Sequence, residues 1–156
     1  MAEEKNYYPF HEKAGVDAVV VYCSDPRFQE AFRLFLKKEL SIEYYAPIVV
    51  PGSISSIGLE LVMPKHLKTL KDQIEFMVTH GKSPRLILIN HEDCKAYEKL
   101  HKIVAQLLRK KQADDLIKAA ALFRKLIPSL ANVSIYMARL DIEKPVNEGI
   151  YFEKLL

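Results

Sequence analysis

The sequence predicts an α/β fold, with a parallel-sheet core of about four strands flanked by helices, in a single domain over residues 1–156. Three observations predict it. Short runs of β-branched and aliphatic residues, Val16–Tyr22 and Arg85–Asn90 above all, lack the alternation of a half-solvated strand and read as strands buried on both faces. Segments with apolar residues at three- and four-residue spacing lie between those runs. Strands that alternate with helices in this way build βαβ units, and therefore a parallel sheet.

In chain order, residues 1–15 are polar and aromatic without periodicity and read as an N-terminal arm that ends at Gly15. Val16–Tyr22 is the first strand. A helix follows: Ser24 or Asp25 is placed to cap it, Pro26 suits its first turn, and Phe28, Phe32, Phe35 and Leu36 fall on one face. Tyr45–Val50 is the second strand, closed by Pro51-Gly52-Ser53, and the low-charge stretch Ser53–Pro64 reads as irregular. Lys65–His80 is an amphipathic helix with Leu67, Leu70, Ile74 and Met77 inward and Gly81 as its stop. Arg85–Asn90 is the third strand. Lys95–Lys111 reads as a helix that buries Leu100, Ile103, Val104, Leu107 and Leu108. Asp114 or Asp115 restarts a helix that runs to Ile127, where Pro128 ends it. Asn132–Leu140 is the fourth strand, and Ile150–Phe152 a short fifth.

Length and composition exclude several classes. A chain of 156 residues buries roughly 70% of its unfolded surface, and an apolar fraction of 49% supplies a core, so the chain is not disordered. Net charge is only +3 and the densest basic run is Arg109-Lys110-Lys111, which is no nucleic-acid stripe. No apolar stretch approaches the roughly 18 residues of a membrane span, and the acidic, polar N-terminus is not a secretory signal. Two cysteines in such a chain are expected as free thiols in a reducing, cytoplasmic setting.

Chemistry concentrates in two short motifs, Cys23-Ser24-Asp25-Pro26-Arg27 and His91-Glu92-Asp93-Cys94, each just past a buried strand. Ligand sites of parallel sheets lie at the carboxyl ends of strands, so neighbouring first and third strands would bring Cys23, His91 and Cys94 together. Two thiolates and an imidazole are three zinc ligands, and three protein ligands leave a fourth position for water, the pattern of a reactive zinc. The plainer alternatives are a helix start at Ser24-Asp25-Pro26, with Arg27 on a solvated turn, and a Cys23–Cys94 disulfide. His66 and His101 fall on helix surfaces, His80 at a helix end and His11 in the arm. Glu92 and Asp93 are placed to start the following helix, and Tyr7, Tyr8 and Phe10 are expected to supply an apolar contact for a partner chain.

The two motifs together resemble the signature of the β-class carbonic anhydrases, Cys-x-Asp-x-Arg followed after a long gap by His-x-x-Cys. That resemblance implies zinc (Zn2+) held by Cys23, His91 and Cys94, with Asp25 accepting a hydrogen bond from metal-bound water or binding the metal itself in a resting state, and Arg27 fixing Asp25. It implies reversible hydration of carbon dioxide to bicarbonate, and a homodimer or higher homo-oligomer. Zinc lowers the pKa of bound water, and an acceptor-only Asp beside it can hold the remaining proton outward. Two thiolates make zinc a weaker Lewis acid than imidazoles would, so activity is expected to rise toward alkaline pH. The sequence departs from the family at Lys95-Ala96, where small residues are usual, at Val49-Val50-Pro51-Gly52-Ser53, which keeps only the glycine, and at Phe28, usually a smaller aliphatic. Those departures leave two alternatives: a hydrolase of carbonyl sulfide or carbon disulfide, and a non-catalytic zinc-stabilised interaction or sensor domain.

Overall fold

The computed structural model describes residue 1, residues 3–102 and residues 105–156. Among these the elements run β1 (Ala18–Tyr22), α1 (Gln29–Lys38), β2 (Tyr45–Val49), a 3-10 turn (Ser55–Leu59), α2 (Pro64–His80), β3 (Arg85–His91), α3 (Lys95–His101), α4 (Ala105–Leu126), β4 (Asn132–Leu140), a second 3-10 turn (Val146–Glu148) and β5 (Ile150–Lys154). One sheet has the order β2-β1-β3-β4-β5. Its first three pairings are parallel, with Val20 opposite both Pro47 and Ile87, and His91 opposite Ala138. β5 closes the edge antiparallel to β4, as a hairpin neighbour can. No helix among the described residues is long and apolar enough to cross a membrane.

The uninterrupted apolar runs have a physical reason. Alternate residues of each central strand enter two separate cores. Val19, Val21, Leu86, Leu88 and Ile135 pack under α2 and α4, while Val20, Tyr22, Ile87, Ile89 and Tyr136 pack under α1. Both faces are dry, so both residue parities must be apolar. The chain leaves β1 for one face and reaches β3 through α2 on the other. That reversal makes the carboxyl ends of β1 and β3 the topological switch point of the sheet, where parallel sheets place their sites.

Several local expectations are corrected. Neither Ser24 nor Asp25 caps α1. Residues 26–28 form a turn first, Phe28 occupies the N-cap without a side-chain bond, and Asp25 Oδ1 accepts the Arg27 N–H at 3.0 Å. The helix expected over 95–111 is broken, since α3 ends where Lys102 enters the left-handed region at φ +49°. Leu108 is buried, whereas Leu100 and Leu107 are exposed, and Ile103 and Val104 lie outside the described residues. No helix restarts at Asp114 or Asp115. Both sit inside α4, where they pair one turn back with Lys110 and Lys111, each at 2.7 Å. Asp115 also accepts the Tyr97 hydroxyl. His101 is half-buried rather than on the surface, with its ring stacked on Tyr97 and Nε2 near the Ser55 carbonyl oxygen at 3.0 Å.

Gly81 stops α2 for a reason other than backbone freedom. Its φ is −74°, open to any residue, but a Cβ there would stand 2.6 Å from the Met77 carbonyl oxygen and 2.7 Å from Val16 Cγ2. Gly81→Ala is therefore expected to destabilise the fold by about 1–3 kcal/mol through overpacking, read as a lower urea midpoint at unchanged m-value.

Candidate metal centre

β1 and β3 are hydrogen-bonded neighbours, so the residues that follow them meet. One donor atom from each of Cys23, His91 and Cys94 lies within 4.8 Å of the other two, and all three residues are buried. The sulfurs are 3.8 Å apart and the cysteines are free thiols, so they form no disulfide. Two thiolates on a tetrahedral zinc stand roughly 3.8 Å apart as well, given Zn–S near 2.3 Å.

The imidazole is set for a metal by its neighbours. His91 Nδ1 lies 2.7 Å from the Glu92 carbonyl oxygen, which assigns the ring proton to Nδ1. Nε2 is then a lone-pair donor, and it is buried without a hydrogen-bond partner. An orphaned acceptor of this kind costs free energy unless something binds it. Phe28 covers the ring, with centroids 4.1 Å apart, and Phe32 lies behind at 6.4 Å. The residue that departs from the family's smaller aliphatic is thus a wall of the histidine pocket.

Thiolate character is supplied locally. The Cys94 thiol and the Gly52 N–H, 3.3 Å away, stabilise charge on Cys23 Sγ and hold its pKa well below the ordinary thiol range. The same pairing, together with burial, pushes Cys94 up. Gly52 presents that N–H from the left-handed region at φ +78°, and a Cβ there would stand 2.6 Å from Ser55 Oγ. The donor set fits a thiophilic divalent cation.

Asp25 and Arg27 are brought beside the triad. Asp25 Oδ2 lies 3.9 Å from His91 Nε2. Arg27 grips the carboxylate through Nε at 3.0 Å to Oδ1 and Nη2 at 2.7 Å to Oδ2. That guanidinium holds Asp25 below the usual carboxylate range, so it is an ionised acceptor near neutrality. Gln29 Nε2 donates to the carbonyls of Cys23 (2.9 Å) and Asp25 (2.7 Å), which freezes the turn between strand and helix.

Other contacts were not legible in the motifs. Arg27 also donates to Asp93, through Nη1 to Oδ2 at 2.9 Å and Nη2 to its carbonyl at 3.0 Å, so it ties the two motif loops together. Asp93 and Glu92 do not start α3 with their side chains, as the sequence suggests. Asp93 is taken by Arg27 and Lys95, and Glu92 by Arg109 and Arg139. Lys95 is exposed, paired with Asp93 at 2.8 Å and Glu98 at 3.2 Å, and thus turned from the triad. The position of Asp93 inside the second motif was its only sequence signal. Gln29 and Arg139 had none, because their partners are set by the fold.

The sequence model of a family described as "Putative carbonic anhydrase" matches residues 14–143, most of the chain. No curated protein matches it in sequence. Among solved structures, the β-carbonic anhydrase isoform I of Trichomonas vaginalis is similar, with 13% identity, TM-score 0.60, and 96% of this chain and 88% of that one covered. The carbonic anhydrase of Streptococcus mutans gives 13% identity, TM-score 0.61 and the same coverage. A tetrameric β-carbonic anhydrase of Sordaria macrospora gives 16% identity, TM-score 0.53, and 92% and 82% coverage. With that sequence-model match over most of its length, the chain belongs to the "Putative carbonic anhydrase" family, and its five-stranded, mostly parallel sheet has the β-carbonic anhydrase fold.

Proposed function

We propose that this protein is a zinc-dependent carbonic anhydrase that interconverts carbon dioxide and bicarbonate in the cytoplasm. The observation that carries the reading is the buried Cys23–His91–Cys94 triad, whose unpartnered Nε2 faces a carboxylate held in place by arginine. Cys23, His91 and Cys94 would hold the metal, which when bound supplies Lewis acidity and so a nucleophile at neutral pH. Asp25 is the orienting residue. Its Oδ2, ionised and acceptor-only, takes the O–H of the attacking water and leaves a lone pair directed at the carbon of carbon dioxide. Arg27 keeps Asp25 from swinging onto the ligands, and its Nη1–Asp93 bond fixes the guanidinium from the other side. Phe28 keeps water from the ring face of His91. Tyr7, Tyr8 and Phe10, 82–88% exposed, suit contact with a second copy in a dimer or higher homo-oligomer.

Stopped-flow hydration by zinc-loaded protein from pH 7 to 9 tests the reading, with metal content measured on the same sample. The expected result is one zinc per chain and a rate well above buffer that rises with pH. Stoichiometric zinc without hydration would move the function to another small substrate, such as carbonyl sulfide, or to a non-catalytic zinc domain.

A further inference from the structure

The peptide between His91 and Asp93 is held by an unusual set of bonds. Glu92 offers its carbonyl to His91 Nδ1 at 2.7 Å. Its N–H donates to the Ala138 carbonyl at 2.9 Å. Its carboxylate crosses to the end of β4, where Oε2 accepts the Leu140 N–H at 2.9 Å and Oε1 accepts Arg139 Nη1 at 3.3 Å and Arg109 Nη2 at 2.8 Å. Arg139 is itself buried, its side chain 7% exposed, and its Nε is held by Glu153 on β5 at 2.7 Å. A glutamate that merely solvates a loop is not drawn into such a network.

The geometry points to Glu92 as a positioning residue for the metal centre, an inference that rests on the metal reading above. Both ends of residue 92, backbone N–H and side chain, are pinned to β4. The chain then turns sharply through Asp93, at φ +53°. Those restraints fix the plane of the Glu92–Asp93 peptide, and so the direction of the carbonyl that faces the imidazole. The carbonyl commits the ring proton to Nδ1 and leaves Nε2 free to ligate. Partners of this kind set the tautomer and orientation of a metal-binding histidine, and their loss typically costs about 10–100-fold in metal affinity.

The test compares wild type with Glu92→Ala and with Glu92→Gln, which keeps an oxygen for the Leu140 N–H but gives up the ionic contacts. Two readouts are taken: the His91 tautomer by 15N NMR of metal-free protein, and zinc affinity by chelator competition, with the cobalt(II) absorption spectrum as a check on coordination. Wild type should show one tautomer, protonated at Nδ1. Glu92→Ala should show a mixture, bind zinc about 10–100-fold more weakly and change its cobalt spectrum, while Glu92→Gln falls between. Folded variants with the wild-type tautomer and affinity would overturn the inference, as would a wild-type ring protonated at Nε2. Should Glu92→Ala fail to fold, Glu92→Gln decides alone, and an unchanged tautomer and affinity there refute the role. Wild type that binds no metal would remove the metal reading, and the tautomer comparison would still decide whether Glu92 positions the ring.

Discussion

Asp25→Ala should keep its zinc and lose most of its hydration rate, about 100-fold or more, the scale at which a positioned proton-handling carboxylate contributes. The donor atoms of the triad come from Cys23, His91 and Cys94, and none is removed. Nor should the loop collapse. Arg27 keeps its two bonds to Asp93, and Gln29 keeps the Cys23 carbonyl, so the turn after β1 remains tied at both ends. What disappears is an ionised acceptor 3.9 Å from His91 Nε2. Asp25→Asn separates charge from shape, because it keeps the size but exchanges one acceptor for a donor, and it should also be slow. Zinc content and stopped-flow rate on the same preparations check both variants. Loss of metal from Asp25→Ala would make Asp25 a ligand, and an unchanged rate would end its orienting role.

Phe32→Ala should cost about 3–5 kcal/mol, a large part of the roughly 5–15 kcal/mol that holds a domain of this kind. Phe32 is fully buried on α1 and lies between Tyr22 at 4.9 Å, Phe28 at 5.9 Å and Phe152 at 6.1 Å, so its ring joins the helix to β1 and β5. These neighbours belong to two strands of one sheet and to the turn that leads into α1, which cannot close over a ring-sized cavity. Phe28 rests on Phe32 and covers His91, so loosening should reach the metal pocket too. Urea unfolding of metal-free protein measures the stability loss. A change below 1 kcal/mol would mean that the aromatic core repacks freely.

The reach of the sequence follows from which interactions are local. β4 was legible to the residue, Asn132–Leu140, because a strand dry on both faces is mostly apolar at both parities, here Val133, Ile135, Tyr136, Met137 and Ala138, interrupted only by Ser134 before Arg139. The α2 face was legible from its spacing, with Leu70 and Ile74 buried as expected. Asp114 and Asp115 misled because an Asp at a helix start and an Asp answering a lysine one turn back look alike in sequence. Only the continuous backbone of α4 tells them apart.

The cluster was legible as well, since two short motifs at the ends of neighbouring strands bring Cys23, His91 and Cys94 together. Sequence by itself therefore determined the α/β class, the central strands and the three side chains that meet at their carboxyl ends. Tertiary structure alone decided how that centre is held: Phe28 over the imidazole, Arg27 bridging Asp25 and Asp93, Lys95 turned to solvent, and Glu92 anchored by Arg109 and Arg139. The physical reason is distance along the chain. Donor chemistry is a property of individual residues, whereas orientation comes from partners that only the β1–β3–β4 register brings into contact.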